Sequence, residues 1–214
     1  QSRNVEELGE IEGLTWTSFS PNQEGKWTPA LLSSDELRAY REVTSGDGFS
    51  PMLEWGDTYL GAVTGNNRYF TLARSEVQSQ GIPEEELVRI SPPGSKHLRG
   101  LTFTDSAWEE LLRDDKACYL FYPESEESLS DAGREYVEAG EKTGVHKAYK
   151  CRVRSPWWQV PLVETPHILL TYMDRHRPRL VTNRARIRHL NSIYGIKLQK
   201  GRIRLGMDLL PIAS

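Results

Sequence analysis

The stretch from Lys147 to Asn191, KAYKCRVRSPWWQVPLVETPHILLTYMDRHRPRLVTNRARIRHLN, limits the folds open to this chain more than any other. Its apolar runs are short, and prolines, a tryptophan pair and arginines interrupt them. Runs of that length read as short strands, far below the roughly 20 apolar residues that cross a bilayer. Elsewhere the same grain recurs, with ACYLFYP (117–123) the clearest buried strand. The expected class is therefore α+β: mixed, mostly antiparallel short strands with several short helices. The regular strand–helix alternation of a nucleotide-binding sheet is absent.

The elements expected along the chain follow from caps and turns. Residues 1–50 read as an inter-domain connection and first packing layer, with Leu14, Trp16 and Trp27 as anchors and one helix, DELRAYREV, capped by Ser34 or Asp35. Residues 51–214 form the second domain. It starts with two strand-like runs around a Thr64–Asn67 turn, then SEVQSQ as a helix capped by Ser75 with Gln78 completing a capping box. VRI is a strand, Thr104 or Asp105 opens SAWEELLRDD, and Ser130 opens DAGREYVEAGEKTG. Strands are expected at KCRVR, HILLTYM and RLVTN, a helix over about Ala185–Tyr194, and a hairpin around Lys200–Gly201. The two cysteines, Cys118 and Cys151, read as small buried hydrophobes in a reducing cytoplasm, with no signal region and no membrane partner. Gln1 is not a natural initiator, so the expectation is a piece of a longer protein or a trimmed chain.

Charge divides the chain. Residues 141–214 hold 15 Lys+Arg against 4 Asp+Glu, a net of +11, and residues 1–140 hold 12 against 26, a net of −14. Behind the overall −3 there is thus a basic C-terminal part suited to a polyanion. Enzymatic signatures are missing: no GxGxxG, no GxxxxGK[ST], no GxSxG, and no His/Cys cluster at metal-ligand spacing. The residues argue for binding, with no catalytic residue and no metal or cofactor in this chain.

Nucleic-acid binding needs cations for phosphates, guanidinium or amide groups for base edges, and aromatics to stack or place them. Arg152 and Arg154, two apart in an expected strand, would share one face. Arg175, Arg177 and Arg179 surround a proline turn, and Arg184, Arg186 and Arg188 follow closely. So dense a cluster repels itself unless it meets an anion. Trp157 and Trp158 cannot both be core residues of a regular strand, and Lys96, His97 and Arg99 form a basic loop.

At this point the motifs become recognisable. GAVTGNNRYFTL (61–72) resembles the G-x-x-T-G-x-N-x-[FY]-F element in the C-terminal target-recognition region of gamma-class, TaqI-like N6-adenine DNA methyltransferases of restriction–modification systems. REYVEAGEKTGV, KCRVRSPWWQVP, HILLTYM, RPRLVTN and HLNSIYGI resemble that family in the same order, from about Trp55 to Ile196. The resemblance implies a bacterial, cytoplasmic, target-recognition domain that binds duplex DNA and positions it for base flipping. A preceding catalytic methyltransferase domain of the same polypeptide would supply methylation. That domain carries the S-adenosylmethionine loop and an [Asn/Asp]-Pro-Pro-[Tyr/Phe] motif. Ser91-Pro92-Pro93-Gly94 is the only Pro-Pro here and lacks both flanking groups. By matching motif, the resemblance assigns DNA contact to Thr64, Gly65, Asn66, Asn67, Arg154, Trp157 and Asn183. Charge alone adds Lys96, Arg99, Arg152, Arg177, Arg184 and Arg186. Rival readings are a protein-interaction module with a basic docking face, an RNA-binding subunit of a modification enzyme, and, last, an independent hydrolase.

Overall fold

The computed structural model describes residues 32–172 and 177–212. The anchors Leu14, Trp16 and Trp27, and Arg175, lie outside the described residues. The chain divides into two compact units, Gln1–Pro51 and Met52–Ser214. In the first, helix α1 (Ser34–Thr44) is capped by Ser33, one residue before the expected cap. Ser33 accepts from the Glu36 N–H, and the Glu36 carboxylate accepts from the Ser33 N–H.

The second unit runs β1 (Gly56–Leu60), α2 (Asn67–Phe70), β2 (Thr71–Leu72), α3 (Arg74–Gln80), β3 (Leu87–Arg89), β4 (Thr102–Phe103), α4 (Asp105–Arg113), β5 (Tyr119–Phe121), α5 (Asp131–Lys142), α6 (Tyr149–Arg152), β6 (Ile168–Thr171), β7 (Leu180–Asn183), β8 (Ile193–Leu198) and α7 (Ile203–Leu209). A five-stranded sheet has the order β1-β8-β6-β7-β4 and a three-stranded sheet the order β2-β5-β3. Every pairing is antiparallel except β4 with β7. The α+β class of short, mostly antiparallel strands is what the structure has.

Alternation along the strands buries both faces of the larger sheet. Leu169, Val181 and Ile193 face Trp108 and Leu112 of α4. Ile168, Ile196 and Leu198 face Met207 and Leu210 in and just after α7. The smaller sheet contributes Leu72, Leu120 and Phe121 to a third cluster with Phe70, Cys151 and Trp158. Both cysteines are free and buried.

Five expectations are corrected, and each correction turns on a period or a cap. The second strand-like run after β1 contains a helical turn, because Asn66 accepts from the Tyr69 N–H and starts α2. In α3 the carboxylate reaching back belongs to Glu76, which accepts from the Ala73 N–H, while Ser75 bonds Asp115. KCRVR is helical in α6, since Val145, Ala148 and Cys151 turn inward at a spacing of three. Residues 184–192 are not helical: turns at 184–185 and 191–192 flank a short run that makes single β-bridges at Arg188 and Leu190. Ala185, Ile187 and His189 are buried and alternate with Arg184, Arg186 and Arg188, a period of two. The last expected hairpin is the end of β8 followed by α7, whose Ile203 and Met207 supply helical spacing to the core.

Two histidines, His189 buried and His97 half-buried, make this core sensitive to acid. The His189 ring fills the space that Gly61 and Gly195 leave open: a Cβ on either would come within 2.8 or 2.6 Å of it. His97 bonds the Ser91 hydroxyl at 2.6 Å. Desolvation pushes each imidazole down to about 4 from its ordinary value near 6.5. Above pH 6.5 both states are neutral and nothing changes. Between 6.5 and 4 the unfolded chain takes protons that the folded one refuses, so stability falls as pH falls, by up to about 3 kcal/mol per histidine. Urea titrations across that window should show this decline, and His189→Leu should flatten it. An unchanged slope in the variant would count against His189.

Candidate nucleic-acid interface

The register of the larger sheet sorts its loops into two ends. Leu60 lies opposite Tyr194, Thr171 opposite Ile193, and Leu170 opposite Leu180. β4 runs parallel to β7 with Thr102 beside Thr182, so the residues before β4 reach the same end. The Thr64–Asn67 turn, the loop entering β7 at Arg177 and the 92–100 loop therefore all leave from one end of the sheet. At about 4.8 Å per strand spacing, its five strands separate the outer two by roughly 19 Å.

At the β1 edge a turn and a helix are locked together. Thr64 Oγ1 donates to Asn67 Oδ1 at 2.6 Å and accepts from the Asn66 N–H at 3.1 Å. Gly65 has φ +88°, and a Cβ there would lie 2.8 Å from Lys150 Cβ. Only glycine satisfies both conditions. Arg154 donates to the Thr64 carbonyl at 2.8 Å and to the Val63 carbonyl. Burial pulls its pKa down from the ordinary value, and the guanidinium stays charged. Arg154 is therefore the clamp between the turn and α6, and does not share a strand face with Arg152. Arg152 is exposed, as are Arg68, Lys147 and Lys150, and none of the four forms an ion pair among the described residues.

The tryptophan pair splits. Trp158 is buried in the core. Trp157 is half-buried, packs on Tyr69 and Phe70, and donates its Nε1–H to Glu141 at 3.0 Å. Both line a cleft of about 490 Å³ with Arg134, Glu138 and Glu141. Those carboxylates make the cleft a poor seat for phosphate.

At the β4 edge the 92–100 loop is braced at several points. Gly94 N–H donates to Ser192 Oγ at 3.0 Å, Arg179 reaches the Leu98 carbonyl at 3.4 Å, and Leu98 is buried. Arg99 Nε–H donates to the Lys96 carbonyl at 2.8 Å, while the Lys96 and Arg99 side chains face solvent. Arg177 is exposed at the entry to β7, the strand beside β4. Between the two edges Tyr172 and Tyr194 meet edge to face at 4.5 Å, and Tyr172 donates to the Asn191 carbonyl.

The structure does not bring the remaining three candidates to this end. Asn183 is buried at the far end of β7, where its amide donates to Pro166 and Ile187 carbonyls and accepts from the Ile187 N–H. Arg184 pairs with Asp208 at 2.9 Å. Arg186 is exposed at φ +50° near the same far end. Sequence reading missed the exposed Tyr149 and the unpaired Lys147, Lys150 and Arg68. The signal was present in KAYKCR, where an aromatic stands among cations.

Residues 24–213 match the family described as "Type II methyltransferase M.Eco57I, C-terminal domain". The chain belongs to this family. As an M.Eco57I-type C-terminal domain it is also similar to the type II methyltransferase M.AccI of Acinetobacter calcoaceticus, at 27% identity over 197 residues. The match covers 92% of this chain and 35% of that protein, so the chain spans about a third of its relative's length. Among the described residues no helix is long and apolar enough to cross a membrane.

The Arg154 clamp gives a stability prediction. Arg154→Ala leaves two carbonyls without their charged donor and should cost about 2–3 kcal/mol. Arg154→Lys should recover little, because one ammonium cannot replace a two-pronged guanidinium. Chemical denaturation of both variants measures this, and midpoints equal to the wild type would contradict the clamp.

Proposed function

We propose that this chain is the target-recognition part of an adenine-specific N6 DNA methyltransferase of a restriction–modification system, and that it binds duplex DNA sequence-specifically. One observation carries the reading: exposed cations on α6 and α2 beside the Thr64–Asn67 turn, and on the 92–100 and Arg177 loops, stand at one end of a single sheet. Lys147, Lys150, Arg152 and Arg68 stand at one edge, and Lys96, Arg99 and Arg177 at the other. A span of roughly 19 Å between edges suits contacts to phosphates on both sides of a groove about 12 Å wide. The family's membership among type II methyltransferases and the GAVTGNN element support the same assignment.

Within this reading Thr64, Gly65, Asn66, Asn67, Arg154 and Trp157 build the edge, and the exposed cations make the contacts. Asn183 and Arg184 hold the fold at the far end. Methyl transfer belongs to a catalytic domain of the same polypeptide, with S-adenosylmethionine as its donor. The described residues do not fit that cofactor. They contain no parallel strand–helix–strand unit opening on a glycine-rich turn, the arrangement that holds such a nucleotide. The chain's own residues position the duplex, and extrusion of the adenine from the stack, at a cost of a few kcal/mol, draws on those contacts.

A salt titration tests the binding. If six phosphates are engaged, log K falls with log salt at a slope of about −5. Lys150→Ala should reduce the slope by about one across all sequences, whereas Arg184→Ala should leave it unchanged. No binding at low salt, or binding indifferent to salt, would sink the reading.

A further inference from the structure

Tyr149 and Val153 are the exposed apolar residues of the α6 region, 65% and 62% accessible. They lie four apart across a single helical turn and the residue that ends it, a spacing that places them side by side. Cations surround them. Lys150 Nζ is 5.6 Å and Arg152 Cζ 5.7 Å from the centre of the Tyr149 ring, and Lys147 precedes it by two residues. None of these cations has an ion pair among the described residues. The segment beneath is rigid: Cys151 is buried, Arg154 grips the Val63 and Thr64 carbonyls, and Gly65 admits Lys150 Cβ to close approach.

We infer that Tyr149 and Val153 form an apolar wedge that lies against the bases of the bound duplex, while Lys147, Lys150 and Arg152 hold the phosphates on either side. The inference rests on the DNA-binding reading above and adds to it the part of the surface that enters the groove. An exposed phenol and isopropyl group set within unpaired cations matches a ligand that is anionic at its rim and flat and apolar inside. A purely acidic protein surface offers the rim alone. The wedge follows the turn that the clamp fixes, so its position is set before DNA arrives and little ordering accompanies contact.

Photo-crosslinking of the full chain to duplexes with 5-iodouracil in place of thymine tests the wedge directly, together with affinities of three variants. The expected result is a cross-linked peptide mapping to Tyr149. Tyr149→Ala should weaken binding about tenfold at an unchanged salt slope, as loss of one stacked aromatic does. Tyr149→Phe should retain most of the affinity, and Arg152→Ala should instead lower the slope. DNA binding with cross-links confined to other residues, and a Tyr149→Ala affinity equal to the wild type, would overturn the wedge and leave the broader reading standing. Absence of any DNA binding would overturn both. Because Tyr149 is exposed, its replacement leaves the fold intact, and circular dichroism of the variant verifies this.

Discussion

The carbonyl oxygens of Val63 and Thr64 meet the guanidinium of Arg154 across some ninety residues of sequence, and the β1 edge of the molecule depends on that meeting. Backbone carbonyls left inside a partly buried site without donors are costly. Here one planar cation serves two of them at once. Its partner features follow: glycine at position 65, because α6 must approach so closely, and Cys151 turned inward beneath the turn. An arginine in a basic segment is easily taken for a ligand contact. In this case it holds the turn against α6.

A division of labour results between side chains that hold and side chains that reach out. Tyr69 and Tyr136 stack at 4.7 Å and each donates its hydroxyl to the other's carbonyl, pinning α2 to α5. The Glu86 carboxylate accepts from the Ser130 N–H at the start of α5, and Gly133 leaves room for it. Trp157 is fixed by Glu141. None of these groups needs to touch a partner in order to matter. They remove freedom from the elements packed around α6, so Lys150 and Arg152 project from a fixed frame.

Much of the architecture was legible in the sequence, and the reasons for the rest are local. Caps at Thr104 and Ser130 and the runs ILLT, LVTN and YLF gave helices and strands directly. The errors came where two periods compete in a short segment. KCRVR alternates charge as a strand does, yet its apolar neighbours Val145 and Ala148 repeat every three residues and tertiary contact with Thr64 selects helix. ARIRHL contains helix formers, but its burial alternates by two, and the Asn183 amide pins Ile187 into a non-helical path. The site was half legible. Motif and charge singled out the turn, Arg154 and the basic loop, but residue type alone could not tell Arg154, turned inward, from Arg152, turned outward. Nor could it show that Asn183 spends its amide inside the fold.

Strand β7 also changes how the arginine-rich segment should be seen. In sequence Arg177, Arg179, Arg184 and Arg186 look like one concentrated charge. The strand between them is four residues long, which at about 3.3 Å per residue sets the two groups roughly 13 Å apart. That exceeds the screening length of about 8 Å at physiological ionic strength. The two groups are electrically independent: titrating, mutating or covering one leaves the potential at the other nearly as it was. What reads as a single cluster along the chain is two separate poles in space, and only one of them shares its end of the sheet with the turn that Arg154 holds.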